Sequence, residues 1–596
     1  MQPRVTQWTA RLVTGALLLS LPLSSRGLDA ASADTPTPGP STPIEHLIVV
    51  VGENHTFDNV FGGYQPSQGQ TIRNLLSEGI IGSDGSAGPK VSAASQAQAN
   101  DVGSYQLAPP QTGPYATLPQ PNTTYANGLP QNVPDVRFPA NLPNAPFQIT
   151  KYVPYAAFTG DPVHRFFQMW QQYDKGRLDL FVWVAQTVGI GPQNSPPVPS
   201  PGNTFQGALA MGFYNMSTGD APLFKQLADQ YAISDNYHQA IMGGTGANFF
   251  ALATGDVAFY NTNGTPGPPP ANQIENPTPQ PMTNNFYTQD GYHGGSYIKC
   301  ADATQPGIGA IRDYLASLPY QPFRNGNCEK DTYYLVNNYN PGYTPTGQVK
   351  PLGPQIFTVP PQTVPSIAEA LSAKGVSWKY YTGGRNNGNV TNEYCAICDP
   401  FTHLTAVMTT NLIDNLQDVT QFYEDVKSDA TLPAVSFVRP FESQAGHPAD
   451  STLQLYEGFL QDLIQRVQAN PDVWNKTAIV ITFDEGGGYY DSGYIQPLDF
   501  FGDGTRTVLV VVSPFTKGGH VDHTYNDHVS ILKFIEKNWN LPPLSQRSRD
   551  NLPNPVANNQ NPYVPVNGPA IGDLMSLFNF ENAQGQQGQQ GQQGQP

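Results

Sequence analysis

Four short apolar runs, rich in Val and Ile, constrain this chain more than anything else in it: Leu47 to Val51, Ala434 to Val438, Ala478 to Phe483 and Val508 to Val512. They are too short for buried helices and too continuously apolar for strands with one wet face. They therefore predict strands covered on both sides. Helical patterns lie between them. Pro365 to Lys374 has Pro near its start and stops at Gly375, the usual order of those two residues around a helix. Leu453 to Asn470 repeats apolar residues at three- and four-residue intervals and stops before Pro471. Asp527 to Trp539 is similar, with Asp527 as its N-cap. Strands alternating with helices predict an α/β fold with a mainly parallel sheet flanked by helices. Two stretches, about 80–150 and 260–365, are dense in Pro, Asn, Gly and Tyr. They are expected to be long insertions that decorate a site rather than core.

In an open α/β sheet, ligands sit beyond the carboxyl ends of the strands. The first run leads through Gly52 into Glu53-Asn54, and the third delivers Asp484-Glu485 followed by three glycines. Two strands thus place carboxylates at one edge of the sheet, and converging hard oxygens suit a divalent cation. One such pair alone would be only a cap or a solvated loop end. Oxygen ligands favour Ca, Mg, Mn or Fe over Zn, which would want a histidine in its shell. A nucleophile is offered by Gly243-Gly244-Thr245-Gly246-Ala247-Asn248. Glycines on both sides let backbone approach a substrate, and a helix opening at Thr245 would favour an anion there. A threonine hydroxyl is a weak nucleophile until a metal or base activates it. Such a turn also occurs without chemistry. The ten histidines include His164, His447 and a cluster at His520, His523 and His528. Singly each is most simply a buried or capping histidine; together they can bind phosphate or metal, or protonate a leaving group.

The formal charge of −17 excludes a nucleic-acid backbone binder, which needs a basic face, and disfavours electrostatic attachment to anionic lipid. The 57 glycines, 58 prolines, 30 tyrosines and 29 phenylalanines describe a loop-rich, aromatic-rich protein, not a disordered one. Arg4 and Arg11 precede or open an apolar run, Leu12 to Leu23, and Ala31-Ser32-Ala33 then fits a cleavage site. Residues 1–33 are therefore expected to be a signal peptide, which implies a secreted or periplasmic bacterial protein, and 34–43 a Pro-rich linker. Residues 44–580 are expected to form one domain and 581–596 a Gly/Gln low-complexity tail. In an oxidising compartment the four cysteines predict disulfides, with the pairing open.

The ordered set of Ile44 to Asp58, Gly243 to Asn248, Gly446-His447-Pro448, Phe483-Asp484-Glu485, Ser513 to His520 and Asp527-His528 resembles the bacterial phosphoesterase family. That family includes phospholipases C and acid phosphatases. The resemblance runs from about residue 44 to 545 and implies an alkaline phosphatase-like fold. It implies that Glu53, Asn54, Asp484 and Glu485 hold one divalent metal ion and that Thr245 is the nucleophile. It further places Asn248 at the phosphate, His447 ahead of the last acidic pair, and His164 (with Trp170, Gly176 and Asp179 following) in a histidine segment before the nucleophile. His55 departs from the Arg or Lys common in relatives, and for the additional histidines of the phosphatases His403 is the nearest candidate. The expected activity is hydrolysis of a small phosphorylated substrate, a phosphomonoester, through a phosphothreonine. The first alternative is phospholipase C action on phosphatidylcholine-type lipid, with the membrane met only as substrate. This is the less favoured because only the low-complexity tail follows about residue 580. The second is an inactive surface binding protein, disfavoured by retention of both acidic pairs and of the hydroxyl at 245.

Overall fold

The computed structural model describes residues 39–100, 103–123, 128–130, 133–187, 205–278 and 294–581. The expected signal peptide, the first half of the linker and the tail from 582 lie outside them. The main sheet has eight strands: β1 (His46–Gly52), β2 (Ala232–Ser234), β3 (Trp378–Thr382), β4 (Leu416–Gln417), β5 (Val435–Arg439), β6 (Thr477–Phe483), β7 (Leu509–Val512) and β8 (His520–Asp522). Their spatial order is β4-β3-β5-β1-β6-β7-β2-β8. All neighbours are parallel except that β7 runs against both β6 and β2. The mainly parallel α/β sheet is thus present, with one reversed strand.

All seven residues of β1 and of β6 are buried. Leu47, Val49 and Val51 join one apolar core, while Ile48 and Val50 join another across the sheet. That is why the runs are continuously apolar: each face of the strand meets its own layer. Helices α1 (Phe166–Tyr173), α2 (Thr245–Thr254), α3 (Ile367–Lys374), α4 (Leu453–Gln468) and α5 (Val529–Trp539) supply much of those layers. Helix α3 starts two residues later than its Pro365 suggested. Ser366 and Glu369 form a reciprocal capping box, and Gly375 closes the helix at φ 74°. Asp527 does cap α5, its Oδ1 accepting from the Val529 and Ser530 amides at 2.9 and 3.2 Å.

The insertions differ from expectation. Residues 260–365 are not mere decoration: Tyr297, Ile308, Ile311, Tyr334, Val336 and Tyr339 all lie in the main core. In residues 80–150, Ile80, Leu118, Phe138 and Ile149 join the second core. Loop-like composition here hides aromatic packing, because tyrosine buries a large ring. The four cysteines form two disulfides, Cys300–Cys328 and Cys395–Cys398. No described helix is long and apolar enough to cross a membrane.

Candidate active site

Strand register builds the site. Gly52 lies opposite Phe483 in the β1–β6 pair, so Glu53 and Asp484 leave the sheet side by side. The Asn54 amide donates to Asp484 Oδ1 at 3.2 Å. Asn54 has a left-handed backbone at φ 68°, and both polar atoms of its buried side chain lack a partner, as does Asp484 Oδ2. Unpaired buried polar atoms of this kind call for a partner, and a left-handed backbone beside them is commoner at ligand sites than in ordinary loop ends. Gly487 makes the close fit possible: at its φ of 59°, a Cβ would lie 2.7 Å from the Asn54 Cβ. Gly488 likewise touches Val163, one residue before His164, where a Cβ would stand 2.3 Å from the carbonyl oxygen.

Strand β5 contributes a residue that sequence reasoning missed. Val438 is paired with Val50, so Arg439 comes next along the same edge and its guanidinium reaches Glu53. Arg439 Nε donates to Glu53 Oε1 at 3.1 Å, and Nη2 donates to both Glu53 and Glu442. Burial raises the Glu53 carboxyl, and Arg439 pulls it back down. Asp484 has no such cation beside it: burial, then the Glu53 charge, pushes its carboxyl up to about 8. The Cys395–Cys398 disulfide closes this side. The Cys398 sulfur, which carries no proton, lies 3.0 Å from Glu53 Oε1.

A second group gathers around His164. One ligand atom each from Asp161, His164 and His447 lie within 4.8 Å of one another. His164 Nδ1 donates to the Pro162 carbonyl at 2.7 Å, which leaves Nε2 facing Glu485 Oε1 at 3.8 Å. His164 thus lies beside Glu485, and His447 and Asp161, the latter hidden in a proline loop, gather around it. His528 stands behind, its Nε2 on the Asp484 carbonyl oxygen at 2.5 Å. His55 is a tie between loops, with Nε2 3.0 Å from the Gly446 carbonyl oxygen. His403 is buried against Phe250 of α2, both ring nitrogens without a partner and its pKa lowered by burial to about 3. Among the described residues, no hydrogen bond or ring contact of His403 joins it to the acidic pairs. His523 pairs with Asp235 at 2.7 Å.

Thr245 opens α2 behind Gly244, and the whole ten-residue helix is buried. Its hydroxyl makes no hydrogen bond within the described residues. Asn248 corrects an expectation. Its Nδ2 donates to the carbonyls of Ile241 and Gly243 at 3.1 and 3.0 Å, and its Oδ1 accepts from the Ile241 amide at 2.9 Å. The side chain is spent on shaping the Gly243–Gly244 turn and has no group left for phosphate.

A family model named Phosphoesterase family matches residues 44–542. The chain belongs to that family of phosphoric-ester hydrolases. Phospholipase C B of Mycobacterium tuberculosis is 23% identical over 592 residues, covering 93% of this chain and 81% of the relative. A non-hemolytic phospholipase C of Burkholderia pseudomallei is 33% identical over 193 residues; that match covers 28% of this chain and only 25% of the relative. A probable acid phosphatase of Kluyveromyces lactis is 27% identical over 34% of this chain and 49% of its own. Among solved structures, an alkaline phosphatase superfamily protein from Vibrio parahaemolyticus aligns at a TM-score of 0.25 and 9% identity, over 55% of this chain and 63% of that one.

Proposed function

We propose that the protein hydrolyses phosphomonoesters with Thr245 as nucleophile, the phosphoryl group passing through a phosphothreonine. The observation that carries this reading is the burial of the site. Glu53, Asn54, Asp161, His164, Thr245, His447, Asp484 and Glu485 are each no more than 5% exposed. A small soluble ester needs only a narrow opening to reach groups so buried, whereas a head group held in a bilayer must bring its surface with it. The residues fit a divalent cation. Asn54 Oδ1 and Asp484 Oδ2 are buried without partners, and Asp484 keeps a proton near neutrality for want of a positive neighbour. Glu53, Asn54, Asp484 and Glu485 would hold the ion, with His164 close enough to join. An imidazole there widens the choice from Ca and Mg towards Mn, Fe or Zn. When bound, the ion supplies positive charge that lowers the pKa of the threonine hydroxyl and neutralises phosphoryl oxygens.

This chain's own residues do the rest. The N-terminus of α2 favours the anionic phosphoryl group beside Thr245. Thr245 Oγ1 gives up its proton to solvent and bonds to phosphorus as the ester oxygen leaves, and His447 gives that oxygen a proton. The same histidine then takes a proton from the water that cleaves the phosphothreonine and regenerates Thr245. Arg439 opposes the rise that burial imposes on the Glu53 carboxyl, and the Gly486–Gly488 turn holds Asn54 against Asp484.

The phospholipase C reading has one specific support, the near full-length match to the mycobacterial phospholipase. Both readings are tested together by measuring kcat/KM for p-nitrophenyl phosphate and for phosphatidylcholine vesicles. The monoester should be turned over much faster. Thr245→Ala should remove nearly all turnover of it, since losing a covalent nucleophile costs several orders of magnitude. Vesicle hydrolysis equal to or faster than monoester hydrolysis would promote phospholipase C. A folded Thr245→Ala protein with more than a few per cent of activity would end the nucleophile assignment.

A further inference from the structure

The turn before Thr245 is covered by a segment of the second insertion, Val336-Asn337-Asn338. The approach is closer than any side chain permits. A Cβ on Gly243 would lie 2.0 Å from the Val336 carbonyl oxygen, and one on Gly244 would lie 2.7 Å from Asn338 Oδ1 and 2.9 Å from its Nδ2. Each asparagine receives the first turn of a helix that carries a candidate site residue at or just before its start. Asn337 Oδ1 accepts from the amide of Phe166, the first residue of α1 and two beyond His164, at 2.9 Å. Asn338 Oδ1 accepts from the Gly246 amide, the second residue of α2, at 2.7 Å. The Asn338 side-chain amide thus lies across Gly244 and Gly246 and brackets Thr245.

The other half of that amide is the notable part. Asn338 is fully buried, and its Nδ2 has no hydrogen-bond partner in the protein. A buried amide that keeps two unused N–H groups is costly, and such a group persists in native proteins where something else satisfies it. Asn248, the other asparagine of this turn, shows the contrast, because its amide is fully engaged by backbone. Of the first amides of α2, those of Ala247 and Asn248 turn back to the Gly244 carbonyl and that of Gly246 is held by Asn338. The Thr245 amide makes no bond among the described residues. Two donors, Thr245 N–H and Asn338 Nδ2–H, are therefore left beside one hydroxyl at the N-terminus of a ten-residue helix, an arrangement suited to an anion.

We propose that Asn338 is a substrate-binding residue whose Nδ2 donates to a non-bridging oxygen of the phosphoryl group at Thr245. The inference rests on the phosphoesterase reading of Thr245 and adds a donor that no acidic or histidine motif signals. Its second role, holding the Gly246 amide, is separable by chemistry. Asn338→Asp keeps an oxygen acceptor for Gly246 and replaces the donor by an oxygen that repels phosphate. Asn338→Ala removes both.

The test measures inorganic phosphate binding to the purified metal-loaded protein by calorimetry, with KM and kcat for p-nitrophenyl phosphate, metal content and thermal unfolding alongside. Asn338→Asp should leave metal content and the unfolding midpoint near wild type. It should weaken phosphate and raise KM on the order of tenfold to a hundredfold, the loss of one hydrogen bond to a charged group. Asn338→Ala should also weaken phosphate, and it is the variant to read if Asn338→Asp does not fold. Folded variants that bind phosphate as wild type does, or that weaken it only with loss of the metal, would overturn the proposal. Wild-type protein that binds phosphate through Asn338 but turns over no ester would instead sink the catalytic reading and leave this one standing.

Discussion

The Arg439–Glu53 pair gives the sharpest quantitative test of how the site is held together. Arg439 is fully buried and its side chain meets Glu53, itself only 4% exposed, and Glu442, which is 30% exposed. Removing the cation with Arg439→Met strands a buried carboxylate, and breaking a buried pair from one side costs about 3–5 kcal/mol. Protonation of Glu53 limits that cost, because burial already raises its carboxyl. The lower end, about 3 kcal/mol, is therefore expected near neutral pH. Glu53→Gln should cost less, since Glu442 still pairs the guanidinium. The double variant removes both charges, and replacing both partners of a buried pair is often near neutral. The two single losses should thus fail to add, with a coupling of about 2 kcal/mol or more, well outside the ~0.5 kcal/mol expected of independent sites. The assay is urea unfolding of chelator-treated protein at pH 7, followed by intrinsic fluorescence. Arg439→Met should also lose less when a divalent cation is present, because the ion becomes the counter-charge of Glu53. Additive single effects, or an Arg439→Met cost unchanged by metal, would refute the reasoning.

Two further predictions concern proton balance and backbone fit. Between about pH 7 and 8 the buried histidines, held near 4 or 3, are neutral folded and mostly neutral unfolded, so they add little slope. Asp484, pushed up to about 8, and Asp58 and Glu275, each pushed up to about 7, still hold protons that the unfolded chain has lost. The folded state then binds more protons, and stability must fall as pH rises through that window. Unfolding midpoints of chelator-treated protein should drop from pH 7 to 8, with a smaller drop when metal is bound; a rise would contradict the sign. Gly487→Ala forces a Cβ to 2.7 Å from Asn54 at φ 59°, so it should cost about 1–2 kcal/mol in conformation and at least ~10-fold in kcat/KM by displacing Asn54. Gly458→Ala, inside α4 with nothing within 4 Å of the new methyl, should be neutral or stabilising by about 0.5–1 kcal/mol. Equal effects of the two substitutions would count against the close-approach argument.

Much of the sheet was legible because a strand buried on both faces has no room for polar residues. The runs in β1, β5, β6 and β7 announce themselves, and so do the carboxylates that follow β1 and β6. The other four strands were not legible. Strand β3 reads Trp-Lys-Tyr-Tyr-Thr, β8 reads His-Val-Asp, and β2 and β4 are only three and two residues long. Their place is set by partners distant in sequence, which no local pattern records. Among site residues, Arg439 was missed because a basic residue ending an apolar run reads as the strand leaving the core, whereas pairing beside β1 holds it inside. Asp161 was missed for want of a recognisable frame in its proline loop. Asn248 was placed at the phosphate because asparagine serves equally as a ligand contact and as a turn clamp, and only the surrounding carbonyls decide between them.

The same logic explains why the second insertion could not be separated from the chemistry. The turn at Gly243–Gly246 has only the Thr245 side chain with which to shield or orient its backbone amides. Something must pack over it, and it must do so without displacing the glycines that let a phosphoryl group approach. A short segment bearing two asparagines meets both demands, since each amide can accept from a helix N-terminus with its oxygen and still present N–H groups. Val336 anchors that segment in the core by its full burial, and its amide donates to the Ser296 carbonyl at 2.9 Å. The tyrosines around it, Tyr297, Tyr334 and Tyr339, pack ring against ring or into the core. The aromatic density that made residues 260–365 look like decoration is therefore the means by which a long excursion is made rigid enough to hold both Thr245 and His164 by the first turns beside them.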